Sequence, residues 1–245
     1  MKKFLCFIPF FFLLSSCLNI RGTNFEQGNL WKVSSISGKE SYIFGTIHLY
    51  PRNEIELSEV IISRLKSCNV LALERDMTNR MEQQNFMPLE MPIFIEESYR
   101  IVVSEYGNEL VSMENQLIQI ANDNGKKITG LESTEEILAI IAEVNHFEIP
   151  ELNWHKDRIL ETYHQSLRIY KDQHLRVFKD SLKAQMGEKI TNTIVDQRNV
   201  NWFKDIILLI EKDKTFIAVG MEHLGGKNGL LSLLLEKRYK LTRVE

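Results

Sequence analysis

Two histidines in this sequence follow the same short pattern, in which a glycine precedes the histidine by three residues. The first pattern runs from Gly45 to His48 and the second from Gly220 to His223, and each follows an apolar run typical of a buried strand. Glycine permits a sharp exit from a strand and a close approach of the backbone. We therefore expect each imidazole to point back over a sheet, where it could bind a metal ion or carry a proton.

Two glutamates occupy similar places, each directly after a short apolar run. Glu74 follows the run 70–73, and Glu132 follows the run 128–131. Because the carboxyl ends of the strands form the binding crevice of an open α/β sheet, the two histidines and the two glutamates should meet at one edge. Two histidines with one or two carboxylates are a common ligand set of hydrolytic metal sites, where the ion lowers the pKa of bound water and makes it a nucleophile.

Both glutamates also have structural interpretations. A carboxylate at the end of a buried strand requires a partner, and Arg198 could supply one for Glu74 in a purely structural ion pair. Glu132 could instead cap the helix expected from residue 133. The remaining histidines lie among charged residues at helical spacing and are expected in solvent; they are His146, His155, His164 and His174.

Strand-like runs alternate with helical patterns along the chain. The runs 30–36 and 41–46 flank a Ser-Gly-Lys turn and predict an N-terminal β-hairpin. Short apolar runs predict further strands at 70–73, 127–131, 215–219 and 239–244. Residues 76–100 are only weakly periodic and are interpreted as loop and short helix, whereas helical spacing predicts helices at 51–68, 101–124, from 133, two or three between 151 and 211, and at 230–237.

This alternation predicts the α/β class. The expected architecture is a central, mostly parallel sheet with an N-terminal β-hairpin, flanking helices and a helical insertion at about 147–211. The content of 44% hydrophobic and 26% charged residues is that of an ordinary globular protein. The sequence has no basic patch of the kind that nucleic acids require, so nucleic acid is excluded as a partner.

The N-terminus has the pattern of a bacterial lipoprotein signal peptide. Lys2 and Lys3 precede an apolar segment at 4–14, and Leu-Ser-Ser stands directly before Cys17. The apolar segment is too short to be a stable membrane span. We expect cleavage after residue 16, lipidation of Cys17, and a polar tether at 18–29 ahead of a domain at 30–245. A signal peptide without lipidation and an ordinary buried N-terminal helix are the alternatives.

Cleavage leaves 229 residues, enough for one large α/β domain, with 28 basic and 33 acidic side chains. Cys6 leaves with the signal peptide and Cys17 carries the lipid, so Cys68 has no cysteine to pair with inside the chain. Its place between a helical pattern and a buried strand predicts a buried, structural thiol.

Five short motifs in fixed order resemble those of the TraB/PrgY/GumN family, which includes the Tiki proteases. They are Leu-Trp-Lys-Val at 30–33 with Tyr-Ile-Phe-Gly-Thr-Ile-His-Leu at 42–49, Leu-Glu at 73–74, Gly-Leu-Glu at 130–132, Asp-Gln-Arg-Asn at 196–199, and Val-Gly-Met-Glu-His-Leu at 219–224. The last match continues through a glycine- and leucine-rich segment as far as Val244. Two positions depart from the family pattern: Gln197 replaces an acidic residue, and Arg238 stands where glycine often precedes the tyrosine.

The resemblance implies a fold like that of the erythromycin esterase and ChaN group. For Tiki-like members it implies metal-dependent proteolysis, with His48, His223 and Glu74 as metal ligands and Arg198 as a charge clamp. The resulting hypothesis is a metal-dependent hydrolase, a peptidase acting on peptides or proteins, anchored in the cell envelope and facing the periplasm or cell exterior. Mn, Co or Zn would be the ion, Glu132 would shuttle protons, and Arg198 would steady the oxyanion or a substrate carboxylate.

The alternative hypothesis is a binding lipoprotein without catalytic activity. Such a protein would sequester a signalling peptide or haem at the same edge of the sheet, as ChaN does with haem on a related fold. Haem requires an axial ligand and an apolar slot, and Tyr42, Tyr50 or either histidine of the paired motifs could provide the ligand.

Overall fold

A computed structural model describes residues 25–75, 92–147 and 155–245 of the chain. The predicted signal peptide, Cys17 and most of the loop predicted at 76–100 therefore lie outside the described residues. The strands in these three segments are β1 (Leu30–Ser34), β2 (Glu40–Thr46), β3 (Leu49–Pro51), β4 (Val70–Arg75), β5 (Leu110–Ser112), β6 (Lys127–Glu132), β7 (Thr215–Gly220) and β8 (Lys240–Arg243).

Six strands form one sheet in the order β6-β4-β7-β2-β1-β8. The pairs β6–β4, β4–β7 and β7–β2 are parallel, whereas β1 pairs antiparallel with both β2 and β8. The predicted α/β fold is confirmed, with a mostly parallel sheet and an N-terminal hairpin. The register opposes Thr46 with Gly220 and Leu73 with Ala218, so the carboxyl ends of β2, β7 and β4 lie at one edge.

Helices pack around this sheet. Within the described segments they are α1 (Glu59–Ser67), α2 (Ile93–Tyr106), α3 (Met113–Asp123), α4 (Thr134–Asn145), α5 (Lys156–Lys171), α6 (Leu175–Met186), α7 (Glu188–Thr191), α8 (Arg198–Lys212) and α9 (Leu230–Glu236). Helix α3 contacts β4 and β6, and α8 contacts β6 and β7. These two helices therefore bring side chains to the same strands whose ends carry the predicted site.

The single helix predicted at 101–124 is wrong. Helix α2 ends at Gly107, where φ is +49°, a 3₁₀ turn and the short strand β5 follow, and α3 begins after Ser112. Ser112 caps α3 by accepting a hydrogen bond from the backbone N–H of Asn115. Apolar residues continue at helical spacing through this break, which is why the hydrophobic pattern did not reveal it. Strand β5 pairs with β3 in a separate two-stranded sheet.

The helix predicted at 51–68 begins later than expected, at Glu59. Ser58 is its N-cap and accepts from the N–H of Ile61, while residues 49–51 form β3. The helices predicted from 133 and at 230–237 are present. The sequence predicts two or three helices in the segment 151–211, but its described part holds α5, α6, α7 and the start of α8, with Gly187 between α6 and α7. A π-helical turn, Asn192–Gln197, lies between α7 and α8 and leads directly into Arg198.

The core lies around the central strands. Every residue of β7 is buried, and the rings of Phe44 on β2 and Phe216 on β7 lie 5.9 Å apart. Cys68 is buried as predicted, and burial raises the pKa of its thiol to about 11. In the part of the chain that the structure describes, the helices are too short or too polar to cross a membrane.

The last residues of the predicted tether are not free of the domain. Phe25 is buried and packs edge-on against Trp31 at 5.2 Å, and the N–H of Gly28 donates to the carbonyl of Gln173. The polar composition of 18–29 concealed this one aromatic anchor. The chain therefore joins the domain by residue 25 rather than 30.

Candidate functional site

Arg198 lies at the centre of the site and joins both predicted glutamates. Its Nη2 donates to Oε2 of Glu74 at 2.6 Å and to Oε1 of Glu132 at 2.5 Å, and its Nε donates to Oε2 of Glu132 at 3.1 Å. The side chain of Arg198 is 10% exposed, that of Glu74 is 17% exposed and that of Glu132 is 5% exposed. The predicted ion pair between Glu74 and Arg198 is present, and it extends to a second carboxylate.

All five N–H groups of Arg198 have partners. The third nitrogen, Nη1, donates to the carbonyl of Ile194 at 3.0 Å and lies 3.5 Å from Nε2 of His223. The contact with His223 is the longest of the set. The guanidinium also lies over the ring of Trp202, 4.5 Å from its centroid. Arg198 is therefore fixed in place, and the bond to His223 is the one most easily exchanged for another acceptor.

The proposed alternative role of Glu132 as a helix cap is wrong. Ser133 caps α4 and forms a capping box with Glu136. Both oxygens of Glu132 instead face α8, where Nε1 of Trp202 donates to Oε2 at 3.0 Å beside Arg198. Burial raises the pKa of Glu132, and the hydrogen bonds and charge of Arg198 offset only part of that increase.

His223 is held by Asn199 in one tautomer. Asn199 Nδ2 donates to the carbonyls of His223 and Asn228 at 3.1 and 2.9 Å, so its Oδ1 is the acceptor. That oxygen lies 2.7 Å from Nδ1 of His223, which must therefore carry the proton. The lone pair of a neutral His223 is then on Nε2, the nitrogen that faces Arg198 and Glu74.

His223 is neutral at ordinary pH. Its side chain is 1% exposed and stacks against Trp202 with 4.7 Å between ring centroids. Burial lowers the pKa of His223 to about 3; the negative charge of Glu74 opposes this shift, while the positive charge of Arg198 adds to it. A neutral imidazole with a fixed tautomer is the form that binds metal ions or accepts a proton.

Glu74 remains ionised beside it. Burial on its own would raise the pKa of Glu74, but Arg198, His223 and His48, together with the N–H of Gly220, hold it well below its usual range. The Gly220 N–H donates to Oε1 at 2.7 Å, and the same oxygen lies 3.7 Å from Nε2 of His223. Glu74 and His223 therefore present one oxygen and one nitrogen side by side.

His48 lies on the outer side of the site and has a different environment. Its side chain is 61% exposed, and its Nδ1 lies 3.0 Å from Oε1 of Glu114. The negative charge of Glu114 raises the pKa of His48, and the charges of Glu74 and Glu222 reinforce this shift. Water screens so exposed a ring, which limits how much stability the pair can contribute.

Sequence reasoning missed Glu114. It is 12% exposed and also accepts hydrogen bonds from Thr46 Oγ1 at 2.7 Å and Ser112 Oγ at 3.2 Å. Its signal in the sequence was the serine two residues before it, which fits an N-cap followed by an acidic residue in the first turn of a helix. The hydrophobic pattern of the predicted helix hid this start.

Glu222 is a second residue that the sequence did not assign to the site. Burial raises the pKa of its carboxyl, the charge of His48 offsets part of this, and the charge of Glu74 adds to it. Its carboxylate packs against Gly220, where an added Cβ would lie 2.6 Å from Oε1. In the other pattern a Cβ on Gly45 would lie 2.9 Å from Leu224 Cδ1 and 3.0 Å from the backbone Cα of Met221, so close approach favours glycine at this position.

The structure thus brings Glu74, Glu132, Arg198 and His223 into one hydrogen-bonded cluster, with His48 near enough to influence the pKa of Glu74 and His223. His48 itself bonds to Glu114. Among the described residues, no group of three or more His, Cys, Asp or Glu side chains is arranged as a ready metal cage. Of the other histidines, His146, His155 and His164 are exposed as predicted, and His174 is half-buried beside Gln27.

The sequence matches the profile of the TraB/PrgY/gumN family over residues 29–95 and 92–243. The chain belongs to this family. The match covers every residue of the site described above and begins beside the first strand of the sheet. No curated protein matches the sequence. Family membership therefore agrees with the order of the motifs, and it leaves the reaction to be argued from the site.

Proposed function

We propose that this member of the TraB/PrgY/gumN family is a metal-dependent hydrolase that cleaves peptide bonds at the edge formed by β2, β4 and β7. His48, Glu74 and His223 would hold a divalent ion, Mn, Co or Zn. The observation that carries the proposal is the neutral, buried His223, whose Nε2 lies 3.7 Å from Oε1 of Glu74. A neutral imidazole nitrogen and an ionised carboxylate oxygen placed side by side are a donor pair that a divalent ion could share, once the long contact of Nε2 with Arg198 Nη1 is exchanged.

The separation of these two donor atoms fits a shared ion. Two ligands at about 2.1 Å from a tetrahedral ion lie about 3.4 Å apart, close to the 3.7 Å between Glu74 and His223. Asn199 supplies the outer hydrogen bond that metal-binding histidines typically make. His48 would be the third ligand, and it is the most exposed of the three.

A divalent ion would supply a bound water of lowered pKa and polarise the scissile carbonyl. Arg198 would support the reaction through Nη1, because its long contact with His223 can be exchanged for the developing oxyanion or a substrate carboxylate. Glu132 would accept and return a proton, which its raised pKa favours. Glu132 would also hold the guanidinium of Arg198 in position, because it accepts hydrogen bonds from Arg198 and Trp202.

The direct test is the metal content of the protein from residue 18 onward, together with its activity on a peptide library with and without chelator. We expect bound metal and chelator-sensitive cleavage, and loss of both in His223→Ala and His48→Ala. The matched control is His146→Ala, which removes an exposed imidazole at the C-cap of α4. Unchanged metal content in both site variants would remove the proposal. Bound metal without cleavage would favour sequestration of a peptide ligand at the same edge, and a Soret band on haem addition without cleavage would favour haem.

The proposal includes an envelope location, with the chain anchored through lipid on Cys17 and the site facing the periplasm or cell exterior. Its support is the signal-type sequence ahead of Cys17. Radiolabelled palmitate should enter the wild-type protein and fail to enter Cys17→Ser. Equal labelling of Cys68→Ser and wild type is the expected control, because Cys68 is buried.

A further inference from the structure

We propose that Glu114 is the positioning residue of His48, fixing its tautomer and orientation so that Nε2 is presented to the site. The inference rests on the proposed function only in assigning Nε2 of His48 to an ion. The orientation of the ring can be tested without any ion.

The contacts of Glu114 leave Nδ1 of His48 a single role. An ionised carboxylate only accepts hydrogen bonds, so the nitrogen 3.0 Å from Oε1 must be the donor. The same oxygen accepts from Thr46 at 2.7 Å, and the other oxygen accepts from Ser112 at 3.2 Å. Three donors hold one carboxylate: Thr46 at the end of β2, His48 between β2 and β3, and Ser112 at the end of β5. When His48 loses a proton, it must lose it from Nε2.

The backbone holds His48 at the same place. The N–H of Met113, one residue before Glu114, donates to the carbonyl of His48 at 3.3 Å. Glu114 lies in the first turn of α3, where the helix dipole favours a negative charge. Both the main chain and the ring of His48 are therefore attached to the start of this helix.

The second histidine of the site uses the same solution with a different partner. Asn199 binds Nδ1 of His223, as Glu114 binds Nδ1 of His48. In both cases the outer group binds Nδ1, so the lone pair of the neutral ring is on Nε2. Two separate segments of the chain therefore give each histidine an outer hydrogen-bond partner at Nδ1, which is typical of metal-binding histidines.

An ordinary ion pair on the surface does not require a carboxylate that is held by three hydrogen bonds. Exposed pairs contribute little and are commonly formed by flexible side chains, whereas Glu114 is 12% exposed and has three side-chain donors. Burying a carboxylate is costly, and its cost is offset here at the one position where it orients a histidine of the site.

The first test measures the ring nitrogens of His48 by NMR in the metal-free protein, through the pH range in which the ring loses its proton. In the wild type the neutral ring should be protonated on Nδ1. In Glu114→Ala it should revert to the Nε2-protonated form that an unconstrained histidine favours. Glu114→Gln retains an oxygen acceptor and should restore the Nδ1 form. Glu109→Gln is the matched control, an exposed glutamate on the turn before β5.

The second test is titration of the same variants with Mn²⁺ and Zn²⁺. We expect affinity to fall about 10–100-fold in Glu114→Ala and to be unchanged in Glu109→Gln. Should the alanine variant fail to fold, Glu114→Met replaces it, because it keeps the chain length and removes the acceptor.

The outcomes separate the inference from the proposed function. An unchanged tautomer in Glu114→Ala overturns the inference, whatever the metal result. A changed tautomer with no metal binding by the wild type leaves Glu114 as the positioning residue and removes the metal-dependent function. Metal binding that requires His48 but is unaffected by loss of Glu114 overturns the positioning role of Glu114 and leaves the metal-dependent function in place.

Discussion

The two histidines of the site come from the same sequence pattern and occupy opposite environments. His223 is 1% exposed with a neutral amide at Nδ1, whereas His48 is 61% exposed with a carboxylate there. Burial lowers the pKa of His223 to about 3, and the charge of Glu114 raises that of His48. The pattern therefore determines where an imidazole lies, and its neighbours determine whether it is charged.

The buried half of the site, formed by Glu74, Glu132, Arg198 and His223, also contains the charges that are most costly to disturb. Arg198 neutralises Glu74 and Glu132, and none of the three side chains exceeds 17% exposure. The exposed half of the site is the pair formed by His48 and Glu114, whose electrostatic attraction is screened by water. The difference between the halves should appear as a difference in stability as well as in protonation.

The largest effect is expected from removing the cation of the buried half. Arg198→Met leaves Glu74 and Glu132 without their positive partner and should destabilise the protein by about 3–5 kcal/mol. Urea unfolding followed by circular dichroism measures this. Arg158→Met is the control, since Arg158 is 66% exposed and pairs with Glu161 on its own helix. Equal effects of the two substitutions would contradict the assignment of Arg198 as the centre of the cluster.

Acid should destabilise the protein through His223 as the pH falls below about 6.5. A folded-state pKa below the ordinary 6.5 means that the folded state resists protonation, so stability is complete above about pH 6.5 and falls as the pH decreases. The loss should approach about 1.4 kcal/mol per pH unit. His223→Gln should remove this slope in unfolding measured between about pH 6.5 and pH 5. A slope that persists in this variant would assign it to other groups.

Asn199→Ala should have a moderate effect. It leaves two backbone carbonyls and Nδ1 of His223 without their partner, at about 1–3 kcal/mol in total. Thermal unfolding measures the loss, and the NMR signals of His223 should show that its tautomer is no longer fixed. The exposed Asn192→Ala, in the π-helical turn, should match the wild type.

The smallest effect is expected in the exposed half. The folded pKa of His48 is raised, so the stability from its pair with Glu114 is present below about pH 6.5 and is lost as the pH rises through the folded value. Because the ring is 61% exposed, His48→Ala should cost less than about 1 kcal/mol. A loss comparable with that of Arg198→Met would mean that the two halves are energetically alike.

The sequence predicted the six strands of the main sheet and the residues at their ends, because short apolar runs followed by polar groups have few other interpretations, but it did not predict β3 and β5. It also predicted the pair of Glu74 and Arg198, since a buried carboxylate requires a cation. Glu114 could not be predicted in the same way. Its contact with His48 depends on the break between α2 and α3 and on the antiparallel pairing of β3 with β5, which are tertiary features.

Asn199 illustrates a second limit. Its motif was recognised, but an asparagine beside an arginine does not indicate which histidine its side chain will meet. The tautomer of His223 follows only from two carbonyls that Asn199 binds, one of them 29 residues away in sequence. Contacts of this kind are set by packing, which the linear pattern does not contain.

The π-helical turn before α8 has a consequence for how this site tolerates changes in length. Each residue of an α-helix advances the side chains by about 100° around the axis. The wide turn at Asn192–Gln197 therefore sets the angular phase of Arg198, Asn199 and Trp202 together. Because a π turn contains one more residue than an α turn, loss of one residue there is absorbed when the turn becomes α-helical, whereas loss of Val200 would rotate Trp202 relative to Arg198.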